Sequence, residues 1–143
     1  RSGQETCRRS AELAHDIKAW DLLARAALGY GVETTFGFVD PYHVSLLERA
    51  LDAIGDSDPA LRARLMARLA AAMQPCATPE RPMALAREAI ALAIHLVVHI
   101  ARVDGQRRVT EFLSVRGFDG AADRFLLEPE ALQTIDTAEG ALV

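Results

Sequence analysis

Two histidines, His95 and His99, lie four residues apart in an apolar stretch of the chain. On a helix this spacing places both imidazoles on one face, where they could hold a metal ion. The zinc-peptidase pattern also needs a glutamate directly after the first histidine to act as the base, and Leu96 stands there instead. We therefore predict no metal and no cofactor. We interpret both histidines as hydrogen-bonded core side chains, because an unpaired polar group in a core costs about 1–3 kcal/mol.

Five of the eight aromatic residues lie in one quarter of the chain. They could line a small-molecule pocket covered by the loop over residues 31–39. The simpler interpretation is a loop that its own aromatic side chains hold in place, and we favour it. The five candidate pocket residues are Trp20, Tyr30, Phe36, Phe38 and Tyr42.

Nucleophilic catalysis needs a serine or cysteine beside a general base. Ser45 and Ser114 have no acid–base partner that can be recognised in the sequence. We therefore predict that the protein is not an enzyme. The alternative is a small-molecule sensor or an enzyme that uses the aromatic loop 30–42 or the His95/His99 face.

The length of 143 residues indicates one domain. Half of the residues are hydrophobic but only 6% are aromatic, and this composition favours closely packed helices. The net charge of −4 argues against direct binding of nucleic acid. Cys7 and Cys76 follow no metal-ligand spacing, and we interpret them as reduced thiols of a cytoplasmic protein. The chain starts at Arg1 rather than methionine, so we expect a fragment of a longer protein.

Helical periodicity is clear in four segments of the first half. Residues 40–54 and 58–73 both open with Asp-Pro, in which the carboxylate caps a helix and the proline suits its first position. Residues 5–16 and 19–30 show the same apolar spacing. A lone helix of this length is marginal in water, so the apolar stripes should pack together. The predicted shared core contains Leu47, Leu51, Ile54, Leu65, Leu69, Ile90 and Ile94.

The segment 83–103 is increasingly apolar, and its later part is apolar nearly all round. This pattern predicts a buried central helix. It does not predict a membrane span, because the uninterrupted apolar run is shorter than about 20 residues and contains histidines. Shorter helices are expected after residue 106. The predicted fold class is therefore all-α, built from stacked antiparallel helix pairs with a C-terminal helical closing segment.

The sequence also contains similar segments at a period close to 40 residues, which is typical of stacked helix pairs. Three phrases carry the likeness: LLARAALGYG (22–31), LLERALDAIGDSDPALRARLMARLA (46–70) and LAREAIALA (85–93). They resemble the tetratricopeptide-like helical region of large bacterial regulators, the LuxR-type and related signalling proteins that carry an ATP-binding domain upstream.

This resemblance covers residues 8–94 and implies a short tetratricopeptide-like solenoid. We expect a helical-repeat domain over 1–105, with 106–143 as a helical cap or irregular segment of the same domain. The resemblance implies a non-catalytic interaction module from a bacterial transcriptional or signalling regulator. Its partner would be a protein segment or an adjacent domain of the parent chain, and any nucleotide-binding or DNA-binding domain would lie outside these residues.

In stacks of this kind the first helix of each pair lines the concave surface. By the resemblance, those helices are 19–30 and 58–73, and their aligned phrases place Arg25 and Arg68 at corresponding positions. Arg64 lies one turn before Arg68 and extends the basic strip. The predicted partner-binding residues are therefore Arg25, Arg64 and Arg68. The alternative is an ordinary solvated face on which Asp21, four residues before Arg25, pairs with it.

Overall fold

The computed structural model describes residues 3–31 and 38–130, and within them five helices precede a three-stranded antiparallel sheet. The predicted all-α fold class, with a helical closing segment, is therefore wrong, because this is a mixed α/β fold. No helix in the described ranges is both long and apolar enough to cross a membrane. The elements are α1 (Gly3–Asp16), α2 (Trp20–Tyr30), α3 (Pro41–Ile54), α4 (Pro59–Ala72), α5 (Glu80–Ala93), β1 (Leu96–Val103), β2 (Gln106–Asp119) and β3 (Arg124–Pro129).

The predicted Asp-Pro helix starts are confirmed at α3 and α4. The Asp40 carboxylate accepts hydrogen bonds from the backbone N–H groups of Tyr42 at 2.9 Å and His43 at 3.3 Å. The Asp58 carboxylate accepts one from the N–H of Leu61 at 2.9 Å. Each proline follows its cap at the first helical position, where no backbone donor is needed. Local sequence therefore determines where both helices begin.

The centre of the core lies between α2, α3 and α4. The most deeply buried side chains are mainly leucines and alanines, and the small alanines let the helix backbones approach closely. Of the predicted core, Leu47, Ile54, Leu65 and Leu69 are buried, and Leu51 packs partly buried against them. Residues that are at most 1% exposed include Leu23, Ala24, Ala27, Leu46, Leu47, Ala50, Leu65 and Leu69.

The prediction is wrong for the end of the segment 83–103. Helix α5 ends at Ala93, and the apolar run that follows is β1. Its β-branched valines and isoleucine favour a strand over a helix. Asp104 and Gly105 then turn the chain with positive φ values of 52° and 78°, the conformation required by a two-residue hairpin turn. Ile90 and Ile94 were predicted as core residues, but they lie outside the observed core, with 44% and 42% of their surface exposed.

The helices expected between residues 106 and 129 are also wrong, because β2 and β3 lie there. The rest of the predicted closing segment, residues 131–143, lies outside the described residues. Strand β2 pairs antiparallel with β1 on one side and with β3 on the other. Helix α5 packs on β2, where the Arg87 guanidinium lies 5.7 Å from the centroid of the Phe118 ring. Arg87 also forms an ion pair with Asp123, between β2 and β3. Contacts of α5 with β2 and with the turn between β2 and β3 therefore attach the sheet to the helical part.

The helical core yields a direct test. Replacing Leu65 or Leu69 of α4 by alanine should lower the free energy of unfolding by about 2–5 kcal/mol, because each leaves a cavity in a fully packed site. Urea unfolding followed by circular dichroism measures the change. Leu13→Ala on α1 is the control, since Leu13 is 64% exposed and should cost little. Near-neutral effects of both core substitutions would contradict this packing.

Candidate functional site

A cleft of ≈ 630 Å³ lies between α2 and α4. It contains all three arginines that the sequence analysis selected as partner-binding residues. Arg25 and Arg64 are exposed, whereas Arg68 is half-buried. The structure thus brings Arg25 together with Arg64 and Arg68 across two helices. The complete lining is Arg25, Leu28, Gly29, Arg64, Ala67, Arg68 and Ala71.

Helical spacing explains why these side chains meet. Arg64 and Arg68 are four residues apart on α4, so they occupy one helix face. Arg25 and Gly29 have the same spacing on α2. The small residues Gly29, Ala67 and Ala71 leave the space between the helices unfilled. The cleft is therefore lined by small residues and by three guanidinium groups.

The three guanidinium groups make no ion pair with any acidic residue in the described part of the chain. In particular, Asp21 forms no ion pair with Arg25. The alternative interpretation, an ordinary solvated face, required that pair. Arg62 on the same helix behaves differently, because its guanidinium lies 3.8 Å from Glu88 and donates to the carbonyl of Gly55 at 3.2 Å. Arg62 holds neighbouring elements together, whereas the cleft arginines leave their positive charge available.

The alternative aromatic pocket is not assembled from the four candidate residues that the structure describes. Trp20 packs on His15 at a ring distance of 5.9 Å, at the opposite end of α2 from Tyr30. The two ends of that helix are roughly 15 Å apart. Tyr30 instead packs on Tyr42 at 5.1 Å. Phe38 is 70% exposed, and Phe36 lies outside the described residues.

Sequence analysis did not predict the burial of His43, which is only 2% exposed. Its ring lies 5.5 Å from the Tyr30 ring, and its Nε2 has no hydrogen-bond partner in the described ranges. Burial lowers the pKa of His43, and the Arg68 charge adds to this, against opposing contributions from Asp40 and a hydrogen bond to the Ala27 backbone. A sequence signal existed, because His43 lies four residues before Leu47 on the apolar stripe of α3.

His95 and His99 do not form the predicted core pair. His95 directly precedes β1, His99 lies within it, and both are exposed. Four residues along a strand span about 13 Å, whereas a zinc ion binds imidazole nitrogen at about 2.0–2.1 Å. His99 Nδ1 instead lies 2.9 Å from the Thr110 hydroxyl on β2. Among the residues described, no three potential ligands from His, Cys, Asp and Glu cluster closely enough to hold a metal ion.

Ser114 is the one serine candidate that the structure buries, at 9% exposure on β2. Its hydroxyl donates a hydrogen bond to the carboxylate of Glu130. Arg116 donates to Glu130 at 3.3 Å and to Glu128 at 2.8 Å. Because the arginine neutralises both carboxylates, we interpret this cluster as a link between β2 and the end of β3.

The burial of His43 makes stability depend on pH. Its pKa is lower in the folded protein than the usual 6.5, so the unfolded chain binds the proton more readily. Stability should therefore be highest above the unfolded pKa and fall as the pH drops below about 6.5. The free energy of unfolding of the His43→Gln variant, measured in urea at pH values above and below about 6.5, should depend less on pH than that of the parent protein. His99→Gln, at an exposed site, is the control, and an unchanged slope in His43→Gln would contradict the prediction.

Comparisons with known proteins identify no relative for this chain. No protein-family model, curated protein or solved structure matches it at a significant level. The likeness to the helical region of bacterial regulators therefore stays a prediction from the phrases quoted above.

Proposed function

We propose that the helical part of this protein is a non-catalytic interaction module whose cleft between α2 and α4 binds an acidic protein segment. The segment belongs either to another protein or to an adjacent domain of the parent chain. One observation carries the proposal: Arg25, Arg64 and Arg68 converge on one cleft and form no ion pair with acidic residues in the described part of the chain.

The chemistry of the cleft selects the class of partner. Guanidinium groups present planar pairs of N–H donors that match the two oxygens of a carboxylate. Arg64 and Arg68 are like charges one helical turn apart, which costs the helix a few tenths of a kcal/mol, and a bound carboxylate would remove this repulsion. The side chains of Leu28, Ala67 and Ala71 offer apolar contact beside the charges. An acidic segment with interspersed apolar residues fits this combination.

We also propose that this chain belongs to a bacterial transcriptional or signalling regulator. This second part of the proposal rests on the resemblance of the three repeat phrases. Such a protein would work in the cytoplasm. The sequence of the parent gene tests this part separately from binding. An ATP-binding domain upstream or a helix-turn-helix domain downstream would support it, and flanking domains of an unrelated secreted enzyme would contradict it.

The binding part is tested with a fluorescently labelled hexaglutamate peptide as the probe. We expect binding that weakens as the salt concentration rises, because salt screens the attraction between charges. Arg64→Ala combined with Arg68→Ala should raise the Kd by roughly 5-fold to 150-fold, the equivalent of about 1–3 kcal/mol. Fluorescence anisotropy measures the Kd, and urea unfolding checks that stability is unchanged.

The matched control removes the same charge elsewhere. Arg9 and Arg49 are exposed arginines outside the cleft lining. Arg9→Ala combined with Arg49→Ala should leave the Kd within about twofold of the parent, since long-range effects of exposed charges are screened. Equal weakening by both double variants would show that only net charge matters, and it would overturn the cleft as the binding site.

A further inference from the structure

One face of the hairpin formed by β1 and β2 carries exposed apolar side chains. Alternate residues of a strand share a face, and so do residues paired across antiparallel strands. Leu96, Val98 and Ile100 of β1 therefore lie on the same face as Val109 of β2, which pairs with Ile100. These side chains are 49%, 42%, 57% and 41% exposed, and we call them the hairpin patch. Neighbouring exposed apolar side chains of this kind mark a binding surface.

Two arginines lie at the end of the hairpin patch nearest the turn between β1 and β2. Arg102 is two residues beyond Ile100 and pairs with Arg107 across the strands, so both lie on the face of the patch. Like charges directly opposite each other destabilise a pair of strands. Neither guanidinium forms an ion pair with an acidic residue in the described ranges. The patch and the arginines together favour an occupant that is both apolar and acidic.

The chain that follows β3 begins beside the hairpin patch. Strand β3 runs antiparallel to β2, and its register places Pro129 opposite Leu113. The N–H of Glu130 then donates to the carbonyl of Phe112 at 2.9 Å. Phe112 itself pairs with Val98 of the patch. Because β3 advances toward lower residue numbers of β2, the chain reaches Glu130 heading toward the turn between β1 and β2.

Residues 131–143 have the composition that the patch and the arginines favour. They read ALQTIDTAEGALV, with seven apolar residues, two acidic residues and no basic residue. Asp136 and Glu139 follow the Phe112 contact by six and nine residues, and an extended chain spans about 20 Å and 30 Å over these lengths. Arg107 is five residues before Phe112 on β2, about 17 Å away along the strand. Both carboxylates can therefore reach the arginines.

We infer that residues 131–143 lie across the hairpin patch of the same chain, with Asp136 and Glu139 beside Arg102 and Arg107. The apolar side chains of the segment cover the patch and remove its surface from water. The two carboxylates accept hydrogen bonds from the guanidinium groups and offset the repulsion between the opposed arginines. The segment thereby completes the exposed face of the hairpin.

The basic cleft between α2 and α4 is the competing destination for an acidic segment. Leu28 is the one leucine in its lining, so the cleft offers less apolar surface than the hairpin patch. The segment also begins beside the patch, at the hydrogen bond between Glu130 and Phe112. A short tether raises the effective concentration of a segment at its nearest site. We therefore expect the patch to hold the segment, which leaves the cleft available for the partner proposed above.

Paramagnetic relaxation in the 143-residue chain tests where the segment lies. With Cys7 and Cys76 replaced by alanine, a nitroxide label is attached at Thr137→Cys, between the two acidic residues. The amide NMR signals of the hairpin patch should lose intensity relative to the sample with reduced label, because the unpaired electron broadens the signals of nearby nuclei. The amide signals of the cleft lining should keep their intensity.

Charge reversal with rescue tests the pairing of acidic residues with arginines. In the labelled chain, Arg102→Glu combined with Arg107→Glu should restore the intensity of the patch signals, because the acidic segment is then repelled. Adding Asp136→Arg and Glu139→Arg to this variant should bring the intensity loss back, because opposite charges face each other again. The amide shifts of β1 and β2 in the same spectra show that each variant keeps the hairpin.

Arg9→Glu combined with Arg49→Glu is the matched control, since both arginines are exposed and lie on α1 and α3, outside the hairpin. This variant should leave the intensity loss at the patch unchanged. Full intensity of the patch signals in the labelled parent overturns the inference. So does an intensity loss that survives the reversal at Arg102 and Arg107, and so does a failed rescue. Intensity loss at the cleft lining instead of the patch would place the segment in the cleft and overturn the inference as well.

Discussion

Close packing of α2, α3 and α4 is the constraint on which the rest of this structure depends. Ala24 and Ala27 on α2 and Ala50 on α3 are fully buried, and their small side chains let the helix axes approach. Leu65 and Leu69 fill the space that remains. Because α2 and α4 are held at a fixed separation, their outer faces form a cleft rather than a flat surface. The juxtaposition of Arg25 with Arg64 and Arg68 follows from this packing.

The same close approach explains two features next to the cleft. A Cβ atom at Gly31 would lie 2.0 Å from Cε1 of His43, so only glycine fits where the chain leaves α2. His43 is thereby enclosed, and its imidazole is kept from water. Burial, with a smaller contribution from the Arg68 charge, lowers the pKa of the His43 imidazole and so favours its neutral form.

Sequence reasoning was reliable where a local signal agreed with the tertiary fold. The Asp-Pro caps at residues 40 and 58 and the helical apolar stripes predicted α1 to α4. The choice of Arg25, Arg64 and Arg68 came instead from the resemblance to helical-repeat proteins. Sequence reasoning failed after residue 94, where helical periodicity was extended over an apolar run. A short apolar run does not distinguish a helix from a strand. The Asp104-Gly105 turn and the β-branched residues before it were the signals for a hairpin.

The candidate aromatic pocket failed for a different reason. Trp20 and Tyr30 are near in sequence but belong to opposite ends of α2, so a rigid helix separates them. The i, i+4 spacing of His95 and His99 likewise had meaning only on a helix. His43 was not predicted as a core residue, although it is in phase with Leu47 and Ile54 on α3. The spacing of chemistry-bearing residues is informative only after the type of element that carries them is known.

The central claim is that the cleft between α2 and α4 receives an acidic segment. Titrating isotope-labelled protein with a hexaglutamate peptide, followed by amide chemical shifts in NMR spectra, tests it most directly. The account predicts shift changes concentrated at the small residues of the cleft, Gly29, Ala67 and Ala71, together with Arg68. Changes confined to β1–β3, with the cleft residues unaffected at saturation, would contradict it.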